Sequence, residues 1–280
     1  MSILIVFTIA LYIAVTVLFW MRVNHGVSEE SEDLSDSGAS FSLGKKSVLM
    51  SLVVVIVVCH GTVLYASAIQ DNAINLALGN DFSLVSLMTL AVYAFATFKR
   101  QTLNLGIFAL PLGLAGLTTG LFLTGDPLIV EITLTVLWVH LVIAVLAFGI
   151  LCIAAAQALL LYVQENQLHS HHPGTFFPAL PAIQTMETNL FQLTLLGVIL
   201  LTTNLVTGMI SSWQVYGKSL EFNHHILLSF IAWLGFSALL AGHKIYGWRG
   251  RIAAKWTLVA FAVLILAYFG TRFVTSIILA

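Results

Sequence analysis

The chain has 280 residues, 59% of them hydrophobic and 8% charged, with a formal net charge of −1. Soluble domains carry roughly 25% charged residues, and apolar runs long enough to cross a bilayer recur throughout this chain, so a soluble globular fold is excluded. The near-neutral charge gives no nucleic-acid signal, and the long unbroken runs exclude an outer-membrane barrel, whose strands alternate over only ~10 residues.

The expected fold is therefore all-α: one polytopic bundle, residues 1–280, of eight transmembrane helices. In chain order they are predicted at 2–21, 47–69, 83–98, 104–123, 130–163, 189–211, 223–245 and 256–278. The first run lacks a basic leader and a small-residue cleavage site, so it is expected to stay as a helix. Within the loop 23–46, the stretch S-E-E-S-E-D-L-S-D-S-G-A-S is acidic, rich in serine and poor in apolar residues, which predicts a flexible linker. Helix 4 carries Gly113, Gly116 and Gly120 beside Pro111, a small-residue face suited to close helix packing. Helix 5 exceeds the ~20 residues needed to cross lipid and should extend beyond it. The loop 164–188 holds His169, His171 and His172 followed by prolines; without an acidic or cysteine partner these histidines make a weak metal site. Helix 6 brings Thr202, Thr203, Asn204 and Thr207, which are expected to hydrogen-bond between helices. Cys59 and Cys152 both lie in apolar runs, no C-x-x-C occurs, and no disulfide framework is expected.

Orientation follows from the cations. Arg22, Lys45, Lys46, Lys99, Arg100, Lys244, Arg249, Arg251 and Lys255 fall in alternate loops, and the opposite loops hold only Lys218. By the positive-inside rule both termini face outward, and the loops after helices 1, 3, 5 and 7 are cytoplasmic. A reporter fused at residue 280 is expected to be active only if it is an enzyme that folds outside. Activity of a cytoplasm-only reporter there would reverse the orientation.

Three helices each carry a histidine at membrane depth. His60 lies in V-V-C-H-G-T, His140 in L-W-V-H-L-V and His243 in L-L-A-G-H-K-I-Y-G-W-R-G-R. An ionisable group there is costly and calls for a reason. One such histidine can be structural, but three on separate helices form a constellation. Imidazole is a common axial ligand of haem, and bundle cores house such cofactors. A proton relay usually alternates histidine with carboxylates, and the spans offer only Glu131, near an end.

The segments L-W-V-H-L-V-I-A-V-L-A-F (137–148), A-L-P-A-I-Q-T-M-E (179–187), L-G-V-I-L-L-T-T-N-L-V-T-G (196–208), A-G-H-K-I-Y-G-W-R-G-R (241–251) and A-Y-F-G-T-R (267–272) carry a resemblance by their order and spacing. Together they resemble the membrane haem-handling proteins of cytochrome c assembly, the CcsA/CcmC/CcmF type, and within it the small eight-helix YpjD/HemX-like branch. The resemblance implies a haem-binding protein of the bacterial inner membrane, not an enzyme, that holds haem b through two of His60, His140 and His243. His140 falls at the family's first outward-side ligand, and His243 at the ligand on the helix after the tryptophan-rich loop. His60 falls at the early-helix histidine that pairs with the latter. Arg272, near the outer end of helix 8, would neutralise a haem propionate if the haem lies high and would otherwise snorkel to the head groups. Membrane lipid and a further inner-membrane protein are the other partners expected; nucleic acid is not. The family's export members carry a Trp-Trp-Asp core before helix 7, where this chain reads S-S-W-Q-V-Y-G-K-S-L-E-F-N. It also lacks their last outward-side histidine. Two rival expectations stand beside this one: an accessory or scaffold subunit without haem, and a small-solute transporter, which internal inverted repeats would support.

Overall fold

The protein is described by a computed structural model, which places residues 1–24, 45–70, 73–99, 102–123, 129–131, 135–169, 180–216 and 224–270. Most of the acidic loop, His171, His172 and Arg272 lie outside the described residues. Among the described residues, eight helices are long and apolar enough to cross a membrane. They are α1 (Ser2–Asn24), α2 (Lys46–Ala68), α3 (Leu78–Lys99), α4 (Gly106–Phe122), α5 (Thr135–His169), α6 (Ile183–Tyr216), α7 (His224–Tyr246) and α8 (Gly250–Ile265). A 3-10 turn, Leu103–Leu105, leads into α4, and a π-helical turn, Leu266–Gly270, extends α8. The all-α membrane bundle expected from composition is the fold observed.

The boundaries depart from the hydropathy reading where polar residues are helical. α3 starts at Leu78 and not at 83, because Asn80 and Asp81 are buried within it and not in a loop. α8 starts at Gly250, taking in Arg251 and Lys255. α5 runs on through Gln164 to His169, so at 1.5 Å per residue it is ~52 Å long and overreaches a ~30 Å apolar layer.

Consecutive spans run antiparallel. Where α3 meets α4, the side chain of Ser83 lies beside Gly120, and Ser86 beside Gly116. Gly113 of the same helix lies under the ring of Tyr12 on α1. The glycine face of α4 is thus packed by neighbouring helices, with backbones at a separation a Cβ would forbid. Pro111 sits inside α4, as membrane helices tolerate. α5 and α6 share the longest interface, and Gln157 and Gln164 of α5 donate to the carbonyls of Met186 and Pro181. α8 packs against α5 and α7, and α3 joins the two halves by contacting α2, α4 and α5. A continuous core runs from Tyr12, Phe19 and Ile56 through Leu90 and Tyr93 to Leu161 and Leu190. A second surrounds Phe148, Leu151 and Phe236.

One element has no antecedent in the sequence reading. β1 (Ile69–Gln70), β2 (Ala73–Asn75) and β3 (Ile129–Glu131) form an antiparallel sheet in the order β1-β2-β3, with Ile69 opposite Ile74, and Ile74 opposite Val130. It lies at the end of the bundle where α2 stops and α3 and α5 start, here termed the sheet end. It moves Glu131 out of the spans. The other end, which carries Lys45, Lys46, Lys244 and Arg249, is the basic end.

Candidate functional site

His60 is the most enclosed of the three histidines, with 0% of its surface exposed. It faces α1 and α3, and both ring nitrogens are engaged. The Tyr12 hydroxyl lies 2.8 Å from Nδ1, and the Ser83 hydroxyl 2.9 Å from Nε2. Neutral imidazole offers one donor and one acceptor, so one hydroxyl donates and the other accepts, and the ring is fully satisfied. Tyr12 also meets His60 edge-on, with ring centroids 5.9 Å apart. Neither hydroxyl announced itself in sequence: Tyr12 lies within a long apolar run, and Ser83 follows the polar Asn80–Asp81 stretch that reads as a loop.

His140 is half-buried and faces α6. Its Nδ1 lies 3.2 Å from Thr207 Oγ1, and Gly208 leaves space for the ring. Thr207 gives its only hydroxyl proton to the Asn204 carbonyl, so its oxygen accepts and His140 Nδ1 carries the hydrogen. Nε2 then holds the lone pair. The polar run on helix 6 does make the expected contacts between helices, through Thr207 and through Thr202, which accepts from the Trp233 indole at 2.9 Å. Thr203 bonds only within its own helix, to the Ile199 carbonyl.

His243 closes α7. Its Nδ1 lies 2.8 Å from the Trp248 carbonyl, which can only accept, so the hydrogen again sits on Nδ1 and the lone pair on Nε2. The ring stacks on Phe191 of α6, with centroids 3.6 Å apart. The reverse turn that fixes this geometry needs Gly247 at φ +68°, a region only glycine enters without strain. Backbone bonds from Gly247 to the His243 carbonyl and from Trp248 to the Gly242 carbonyl hold it. An Nδ1–H anchored on an oxygen, with Nε2 free to bind, is how iron- and zinc-ligating histidines are oriented.

No two of these histidines share a site. His60 lies ~21 Å along α2 from Lys46, whereas His243 is within a turn of the basic end. His140 is ~8 Å from the start of α5 at the sheet end, closer in depth to His60, but the two rings face different helices. His169 is exposed at the end of α5. The carboxylate that hydropathy hid is Asp81, which accepts a 2.8 Å hydrogen bond from Tyr268 where α3 meets the end of α8.

Comparison with known proteins gives a family. The model of the family described as "Cytochrome C assembly protein" matches residues 48–279. The chain is 32% identical over 238 residues to the inner membrane protein YpjD of Escherichia coli (strain K12), covering 84% of this chain and 89% of that protein. It is 30% identical over 90 residues to the cytochrome c biogenesis protein CcsA of Prochlorococcus marinus (strain MIT 9515), 32% of this chain and 29% of that protein. It is 24% identical over 131 residues to the protein HemX of Bacillus subtilis (strain 168), 47% of this chain and 48% of that protein. No solved structure matches.

Proposed function

Because the chain belongs to the cytochrome c assembly protein family, we propose that it is a non-catalytic haem-handling protein whose intramembrane histidines bind haem b. It is a multi-pass protein of the bacterial inner membrane. The observation that carries the reading is the matched preparation of two imidazoles. His243 is anchored through Nδ1 on the Trp248 carbonyl and His140 through Nδ1 on Thr207, and each keeps its Nε2 lone pair. His243 and His140 would hold haem, which when bound would supply an iron that binds imidazole nitrogen. Phe191 holds the His243 ring in one plane. Thr207 holds the His140 tautomer. His60 reaches an iron only by giving up Tyr12 or Ser83. The two prepared histidines sit toward opposite ends of the bundle, so each belongs to its own site.

A second reading, a scaffold subunit without haem, draws support from His60, whose bonds to Tyr12 and Ser83 are those of a core residue. One experiment separates the two: absorption spectra of freshly solubilised protein supplied with excess haem. A b-type spectrum is expected, diminished in both His243→Ala and His140→Ala and kept in the folded fraction of His60→Leu. An identical spectrum in the folded double variant His140→Ala/His243→Ala would remove these ligands. Absence of any spectrum at excess haem would leave the scaffold reading.

A further inference from the structure

The hairpin from α7 to α8 carries four of the chain's eleven cations, Lys244, Arg249, Arg251 and Lys255, within one turn and the helical turns beside it. Lys244, Arg249 and Lys255 are exposed, and Arg251 is half-buried. Two carboxylates lie nearby, and both are turned toward Gly250. Glu187 Oε1 accepts the Gly250 N–H at 2.6 Å, and the Glu165 carboxylate lies where a Cβ of residue 250 would be. Both thus face the amide-rich start of α8, whose dipole favours negative charge. Arg251 and Lys255 lie over the ring of Tyr162, at 5.8 and 6.0 Å. Beside the cations, large apolar side chains stand open: Tyr246 is 75% exposed, Ile252 52% and Trp256 40%. Trp248 stacks on both Tyr246 and Trp256, which fixes this surface.

Exposed cations beside exposed aromatic and aliphatic side chains, at the end of two spanning helices, match one class of ligand. We propose that this hairpin is a binding site for an anionic phospholipid, with Lys244, Arg249 and Lys255 on the phosphate and Tyr246, Ile252 and Trp256 along the acyl chain. Basic pockets between spanning helices recognise anionic head groups in this way, and tryptophan and tyrosine favour the depth where head group meets chain. A free anion would not use the apolar half of the surface, and a zwitterionic lipid would not use its charge. None of the three histidines is among its contacts, although the same Gly247–Trp248 turn anchors His243.

The test is native mass spectrometry of the delipidated full chain, offered dioleoyl-phosphatidylglycerol or dioleoyl-phosphatidylcholine at equal concentration. At least ten-fold preferential retention of the phosphatidylglycerol is expected. The preference should vanish in Lys244→Gln/Arg249→Gln/Lys255→Gln. If that variant does not fold, the single variants Lys244→Gln and Lys255→Gln should each lower the preference. Equal retention of the two lipids by the wild type overturns the proposal. So does an unchanged preference in the variants, or displacement of the lipid by inorganic phosphate at matched ionic strength.

Discussion

Replacing His60 by leucine is expected to destabilise the fold by roughly 2–5 kcal/mol while leaving any haem spectrum of the surviving folded protein intact. His60 and Tyr12 are fully buried and Ser83 is 2% exposed, so no water reaches the gap. Hydrogen bonds between membrane helices are individually weak, ~0.6 kcal/mol by double-mutant cycles, so losing two accounts for only about 1 kcal/mol. The larger part comes from the hydroxyls left behind, since an orphaned buried polar group costs ~1–3 kcal/mol. Tyr12→Phe in the same background should therefore recover part of the loss, because it removes one orphan. Thermal unfolding in detergent measures both. Equal midpoints for wild type and His60→Leu would show that Tyr12 and Ser83 find other partners, and the ring would then have no structural claim on them.

The second large effect is expected at Gly116. A Cβ there would fall on both Oγ and Cβ of Ser86, and the Phe82 carbonyl oxygen stands 3.2 Å away. Rotating the serine hydroxyl does not clear its Cβ, so α3 and α4 must separate. Overpacking of a filled interface costs ~1–3 kcal/mol and sometimes more, and Gly116→Val is expected at or above the top of that range. The local control is Gly61, where a Cβ would meet only Leu87 Cδ2 at 3.8 Å, and Gly61→Ala should be nearly neutral. Pairing Gly116→Ala with Ser86→Gly exchanges which helix bears the side chain and should restore the yield of monodisperse protein on gel filtration. Failure of that exchange, with Gly116→Ala alone tolerated, would mean that the two helices are not held at this contact.

These two sites mark what hydropathy reveals and what it hides. Span number and approximate place follow from apolar run length, because the cost of an exposed amide in lipid leaves few alternatives. The glycines of α4 were legible for a related reason: three small residues at helical spacing on one helix have few uses other than close approach. Helix rotation is less accessible. His60 lies in an apolar run that looks much alike on every side, so sequence does not tell whether it meets Tyr12, an iron or lipid. Asp81 was hidden differently: L-G-N-D reads as a loop until Tyr268, 187 residues away, supplies its partner. The three strands are two or three residues long, too short for alternation to register. His243 and His140 were found because histidine is rare at such depth. Their tautomers rest on a carbonyl and a threonine that only the folded chain brings near.

The small sheet also bears on how the protein is made. β1 and β2 are nearly contiguous and can pair as soon as α2 has emerged. β3 waits for two further spans, and at 5–20 residues per second the roughly 50 residues between Asn75 and Ile129 take about 3–10 s to synthesise. During that interval the outer edge of β2 carries unpaired backbone groups at the membrane surface, open to the wrong strand. Arrival of β3 closes that edge and at the same moment fixes where α5 begins. The three-stranded ladder therefore cannot be complete until the first four helices have been made.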